Sequence, residues 1–291
     1  MSTMRRDADE QAALWNGAAG RAWVDAQQVL DGLWKPFEDQ LVEAVRVSSA
    51  RGVIDVGCGT GATTLAIARS LGVNGRCVGV DISGPMLALA RARAERERVP
   101  ATFIRADAET HAFEPGACDM IVSRFGVMFF DDFVRAFTNL RRAGRDGAEL
   151  RLITWRSPEE NPFMTTAERA AAPLLPNMAP RRPDGPGQFA LADRARLERI
   201  LEQSGWGEID LQPIDVALVF AEKDLELYLT RLGPLGRTLA EVDEQSRTRV
   251  IAEVRRAFDP YVHGDEVRFD AACWMICARS PAADAAQGRR A

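Results

Sequence analysis

Between residues 51 and 154 the chain alternates short apolar runs with stretches of helical period, the pattern of parallel strands joined by crossover helices. The runs at 53–56, 77–80, 102–105, 120–123 and 150–154 are expected as strands. Residues 60–71 have helical character and end at Gly72, a suitable C-terminal cap. Ser83 can cap a second helix, with Pro85 in its first turn and Met86, Leu89 and Ala90 on one face. A third is expected over 131–142, where Phe133, Val134, Phe137 and Leu140 fall at helical spacing.

The flanks differ in character. Residues 10–47 read as helical and hold Trp15, Trp23 and Trp34. Behind the strand block, 156–190 contain seven of the 15 prolines, which forbids a long regular element and predicts an insertion of loops and short helices. A helix at 193–204, a strand near 209–219, helices across 225–258 and a buried last strand at 271–278 follow. The expected organisation is a helical segment 1–50, one domain 51–280, and a disordered tail 281–291 rich in Ala, Arg and Gly.

Composition narrows the partners. The 37 basic and 42 acidic residues leave a net charge of −5, which argues against nucleic acid or an anionic membrane as the main partner. Cys58, Cys77, Cys118, Cys273 and Cys277 lack the paired spacing of a disulfide framework or zinc site, so reduced thiols and no metal are expected. Cys273 and Cys277 would share one side of the last strand as core thiols. Two arginines followed by acids near the start do not read as a signal peptide, and no run approaches the roughly 18 to 20 apolar residues of a membrane span. A cytoplasmic location is expected.

The chemistry is carried by Val53-Ile54-Asp55-Val56-Gly57-Cys58-Gly59-Thr60-Gly61, an apolar strand running into a glycine-rich turn before a helix. Three alternate glycines let the backbone turn tightly and approach a ligand, while the helix start offers free N–H groups. Gly57, Gly59 and Ala62 also satisfy a loose dinucleotide fingerprint, which leaves a nicotinamide-dependent dehydrogenase as an alternative. Asp55 inside the strand argues against it. Asp81, at the end of the second strand, is placed to accept hydrogen bonds from two vicinal ribose hydroxyls.

The glycine string with Asp55 and Asp81 resembles the class I S-adenosylmethionine-dependent methyltransferases. Asp107-Ala108, the run 123–130, Asn16-Gly17 through Trp23, and 187–192 resemble the bacterial small-molecule branch near the quinone-biosynthesis type. The resemblance implies an α/β, Rossmann-like, doubly wound sheet of seven strands, mostly parallel with one antiparallel strand, and helical lid insertions at 156–190 and 221–258. It implies S-adenosylmethionine as cofactor, S-adenosylhomocysteine as product, and a small-molecule acceptor methylated at N, O, S or C. Gly57, Cys58, Gly59, Thr60 and Gly61 would form the cofactor loop, with Asp55 helping to orient the loop or, through water, the amino group. Asp81 would bind the ribose, Ile82 and Met86 the adenine face, Asp107 and Ala108 the adenine edge. Ser123 would offer its backbone carbonyl to the ammonium, and Trp15 and Trp23 would close over the cofactor.

Competing readings stand beside these. Asp81 can serve as a helix cap, Met86 as plain core, and Trp15 and Trp23 as packing against the sheet. Cys58 in the cofactor loop need do no covalent work. The only histidines are His111 and His263. His111, four residues past Asp107, can reach the cleft as a general base or be an exposed loop residue; His263, beside Gly264, reads as part of a turn. Arg124, following the fourth strand, can pair with a substrate carboxylate or phenolate, or with a protein acid. Asn161-Pro162-Phe163 superficially resembles the signature of nucleic-acid amino methyltransferases but follows the fifth strand, where that signature does not belong. A protein that binds the cofactor without methyl transfer is the remaining alternative.

Overall fold

The computed structural model describes residues 10–178 and 185–282. Residues 10–16 are helical (α1), and α2 (Ala18–Asp25), α3 (Gln27–Leu33) and α4 (Lys35–Val47) follow. The next block is β1 (Gly52–Val56), α5 (Ala62–Leu71), β2 (Arg76–Asp81), α6 (Gly84–Glu97), β3 (Ala101–Arg105), β4 (Cys118–Arg124), α7 (Phe133–Ala143) and β5 (Gly144–Trp155). The chain continues through α8 (Phe163–Ala171), α9 (Arg194–Gln203), β6 (Gly207–Ala221), α10 (Leu225–Arg231), α11 (Gly233–Leu239), α12 (Glu244–Ala257), β7 (Val262–His263) and β8 (Glu266–Arg279).

The strands form one sheet in the order β3-β2-β1-β4-β5-β8-β6, with the two-residue β7 pairing on β8. Neighbours among β1 to β5 are parallel, and β8 runs antiparallel to β5, β6 and β7. The expected seven strands with one antiparallel member are therefore present, and β7 makes an eighth. His263 lies in the short β7–β8 hairpin, whose turn contains Gly264 at φ 67°.

All five residues of β1 are buried, which is why that strand reads as a continuous apolar run. β6 alternates buried or half-buried with exposed residues along much of its length and tolerates Pro213 because it is the edge strand. α6 begins as expected, with Ser83 as N-cap accepting from the Met86 N–H at 3.4 Å. α7 starts at Phe133 rather than 131, because Asp132 caps it by accepting from the Arg135 N–H at 2.9 Å. Among the described residues of the proline-rich insertion only α8 forms, and Asn161 pins its approach to the sheet. Its amide donates to the Ala272 carbonyl and accepts from the Ala272 N–H, both at 2.9 Å.

The helices before β1 are not peripheral: Leu30, Leu33, Phe37, Leu41 and Val45 are buried in the same core as the strands. Cys273 is fully buried and Cys277 half-buried, both as free thiols. Residues 283–291 of the expected tail lie outside the described residues, as do 179–184 of the insertion. No helix among the described residues is long and apolar enough to cross a membrane.

Candidate functional site

β1 and β4 are neighbours in space while the chain leaves them toward opposite halves of the sheet, so their carboxyl ends open the crevice where α/β sheets bind ligands. A cavity of about 1000 Å³ occupies that position. That is the upper end for a small-molecule site and has room for two ligands side by side.

One end of the cavity is polar and built from the loops after β1, β2 and β3. Asp81 is buried, and its two carboxylate oxygens accept the Gly59 N–H at 2.7 Å and the Ser83 N–H at 2.8 Å. Each oxygen keeps a second lone pair, so Asp81 both shapes the loop and retains acceptor capacity for a vicinal diol at the cavity wall. A Cβ built on Gly59 would meet only the Met86 sulfur, at 3.7 Å, so the loop leaves a concavity there. Gly57, Gly59, Ile82, Met86, Asp107 and Ala108 all line this end. Asp107 spends its oxygens on the Glu109 N–H and the Thr110 hydroxyl, both at 2.9 Å, which fixes the turn that presents Ala108. The donor set suits an adenosyl group.

The roof over this end is α1 and α2. Asn16 donates to the Ile82 carbonyl at 3.2 Å and accepts from the Gly84 N–H at 2.9 Å, while Ser83 donates to the Trp15 carbonyl at 2.7 Å. Trp15 and Trp23 both line the cavity, in edge contact at 6.2 Å between ring centres, and Trp15 also meets Phe129 at 5.1 Å.

Residues 53–147 match the family model described as a methyltransferase domain. The chain carries a class I S-adenosylmethionine-dependent methyltransferase domain. Demethylmenaquinone methyltransferase of Mycolicibacterium gilvum is 26% identical over 216 residues, which cover 72% of this chain and 91% of that protein. The protein of the same name from Thermus thermophilus is 32% identical over 111 residues, 38% of this chain and 50% of its own length. Of solved structures, the YcgJ protein of Bacillus subtilis shares the fold with a TM-score of 0.55 at 16% identity, over 84% of this chain and 98% of that one.

Several expected contacts of the methyltransferase domain fall elsewhere. Ser123 is fully buried and outside the cavity lining; its hydroxyl donates to the Val56 carbonyl at 2.7 Å and accepts from the Gly126 N–H at 3.1 Å. It staples the loop after β4 to the end of β1. Asp55 is likewise outside the lining and accepts from the Thr64 hydroxyl at 2.6 Å. Cys58, Thr60 and Gly61 shape the loop from behind, and burial pushes the Cys58 thiol well up, so it stays protonated and inert. His111, offered as a general base, does not line the cavity and packs edge-on against Phe113.

Arg124 lines the cavity, yet its guanidinium donates to the Trp34 carbonyl at 3.3 Å, with Glu38, Asp31 and Asp55 as the surrounding acids. Its direct partner is thus a backbone carbonyl and not the protein acid expected, and the side chain stands at the cavity wall. Burial lowers its pKa and the three acids oppose that shift.

Three features of the site had no sequence signal strong enough to find them. Glu109 is buried at the cavity wall, accepts from the Asp131 and Asp132 N–H groups at 2.9 and 3.2 Å, and pairs with Arg135. It clamps the adenine-side loop to the loop after β4. Gly126 abuts Gly57, where a built Cβ would stand 2.5 Å from the Gly126 Cα. The third is an aromatic cluster, where Phe125 stacks on Trp155 at 4.3 Å and Trp34 meets both edge-on at 5.6 and 5.5 Å. Phe125 has φ 64°, a left-handed conformation rare for a large side chain, and that conformation sets its ring against Trp155. Trp34, Phe125 and Phe163 face the cavity.

Burial raises the Asp55 pKa to about 7, with the Thr64 hydrogen bond and Arg124 opposing the rise. The folded protein therefore holds a proton that the unfolded chain releases near the ordinary carboxyl value of 3.8. This group's contribution to stability falls as pH rises from about 4 to 7 and is constant above that. Asp55→Asn should remove this component. Wild type then loses stability relative to the variant across that window, as chemical unfolding at stepped pH would show; parallel curves would contradict the assignment.

Proposed function

We propose that this protein transfers the methyl group of S-adenosylmethionine to a small, largely apolar, ring-bearing acceptor in the cytoplasm, and does not act on nucleic acid. The observation that carries the reading is one continuous cavity, lined by Asp81 and the glycine loop and also by Trp34, Phe125 and Phe163. The cofactor supplies a methyl group already activated on a sulfonium. The protein's part is to hold the acceptor in line with it and to exclude water, which is catalysis by proximity and orientation.

Asp81 would fix the adenosyl group through the ribose, and the turn held by Asp107 would present Ala108 to the adenine. The aromatic wall suits a flat apolar ring, which can stack or pack edge-on there. The named relatives act on demethylmenaquinone, which points to the same acceptor class. The net charge of −5 and the free cysteines support a cytoplasmic enzyme with a metabolite substrate.

Calorimetry should show micromolar binding of S-adenosylhomocysteine. Incubation with methyl-labelled S-adenosylmethionine and a bacterial extract should move label into the solvent-extractable small-molecule fraction. Binding without label transfer sinks the catalytic reading in favour of a binding protein, and label in nucleic acid or protein sinks the acceptor class.

A further inference from the structure

Two guanidinium groups take hold of α3: that of Arg93, buried and outside the cavity lining, and that of Arg124, half-buried at the cavity wall. Arg93, on α6, is 8% exposed. It donates to the Thr60 carbonyl at 2.9 Å and to the Asp31 carboxylate at 2.6 Å. Thr60 sits in the glycine loop between Gly59, whose N–H is held by Asp81, and Gly61, the N-cap of α5. Asp31 sits on α3 and is itself fixed by the Gln27 amide at 2.5 Å. Arg124 takes hold of the other end of the same helix, at the carbonyl of its C-cap, Trp34, where the helix dipole favours a cation.

α3 thus touches both halves of the crevice. Through Arg93 it is bonded to the loop that carries Gly57 and Gly59; through Arg124 it is bonded to the end of β4, one residue before Phe125. It also brings Leu30 and Trp34 to the cavity wall. A shift of the glycine loop toward or away from a ligand moves the Thr60 carbonyl. That carbonyl shares a guanidinium with Asp31, so the shift reaches the helix that forms the aromatic wall. Packing alone would hold α3 in place without giving it a bond to the loop.

We infer that Arg93 is a positioning residue that couples cofactor binding to the seating of α3, so that the acceptor wall is completed only when the glycine loop is engaged. The inference rests on the S-adenosylmethionine reading above. Arg93 does not line the cavity; it acts through Thr60 and Asp31.

Hydrogen exchange of the full-length protein, with and without S-adenosylhomocysteine, tests this directly. In wild type, the ligand should slow exchange across residues 27–34 at least tenfold, although Gln27 and Asp31 do not line the cavity. In Arg93→Leu, which fills the space with apolar volume, that ligand-induced protection should fall below threefold while protection of the 57–61 loop persists at saturating ligand. Arg93→Lys should restore part of it, since one ammonium can reach one of the two acceptors. Asp31→Asn, which keeps the Arg93 bond to Thr60, gives a second measurement should the Leu variant not fold; it too should lower protection of 27–34. A purely structural Arg93 would lower the melting temperature and leave the ligand-induced protection of 27–34 equal in variant and wild type, and that equality overturns the coupling. Wild-type protein that binds no S-adenosylhomocysteine overturns the methyl-transfer reading instead.

Discussion

Asp81→Asn should weaken S-adenosylhomocysteine binding on the order of 100-fold, with a smaller loss of stability. A hydrogen bond to a charged group contributes about 1.5 to 3 kcal/mol, and each 1.4 kcal/mol is a factor of ten in Kd. Asp81 is proposed to supply two such bonds to the ribose. The amide also upsets the protein's own arrangement. Both carboxylate oxygens accept a backbone N–H, from Gly59 and Ser83. The amide NH2 must then face one of these donors and leave it unpaired, at a cost of about 1 to 3 kcal/mol. Burial already raises the Asp81 pKa, and the backbone N–H groups of Ser83, Gly59 and Ile82 oppose that rise. Calorimetry and thermal unfolding separate the two losses; affinity within threefold of wild type would refute the ribose assignment.

Gly57→Ala should destabilise the fold by about 2 to 5 kcal/mol and abolish cofactor binding. Gly57 has φ 66°, and a Cβ there would stand 2.5 Å from the Gly126 Cα. The left-handed conformation costs an L-residue about 1 to 2 kcal/mol, and forcing atoms into a packed site typically costs about 1 to 3 kcal/mol more. The contact is backbone against backbone, so no side chain can swing aside. The loops after β1 and β4 must separate, which pulls Ser123 away from the Val56 carbonyl and Gly126 N–H that it joins. Gly72→Ala is the control, because Gly72 has φ 60° with nothing within 4 Å of the built Cβ. It carries only the conformational cost. Equal losses in the two variants, measured by denaturant unfolding, would show that the approach of Gly57 to Gly126 contributes nothing.

The parts of the molecule legible in the sequence are those set by local rules. β1, β2 and β4 read clearly because strands buried on both faces are runs of apolar residues, and Gly57 to Gly61 read clearly because tight turns demand particular residue types. β5 and β8 extend well beyond their apolar centres, since their outer residues pair along the ladder while facing solvent. The candidate site was legible where short loops after single strands build it: Asp81, Ile82 and Met86 after β2, and Asp107 and Ala108 after β3, were expected as cofactor contacts and line the cavity. It was illegible where distant segments meet. Arg93 looks like any arginine on a helix until α3 is laid against it, and Glu109 like any loop acid until Asp131, Asp132 and Arg135 arrive. Ser123 was misplaced for the same reason, because its hydroxyl bonds depend on how closely two loops approach.

The docking of α1 to α4 also bears on the order in which the molecule can be made. These helices leave the ribosome before the groups that tie them to the sheet: Ser83 and Gly84 for α1, Arg93 for Asp31, Arg124 for Trp34. Trp34 and Phe37 pack on Phe125 and Trp155, so their rings stay exposed until β5 has emerged. The amino-terminal helices must therefore wait, as unpaired apolar surface, for more than a hundred residues of chain to follow. That makes the nascent protein most dependent on chaperones before its catalytic half is complete.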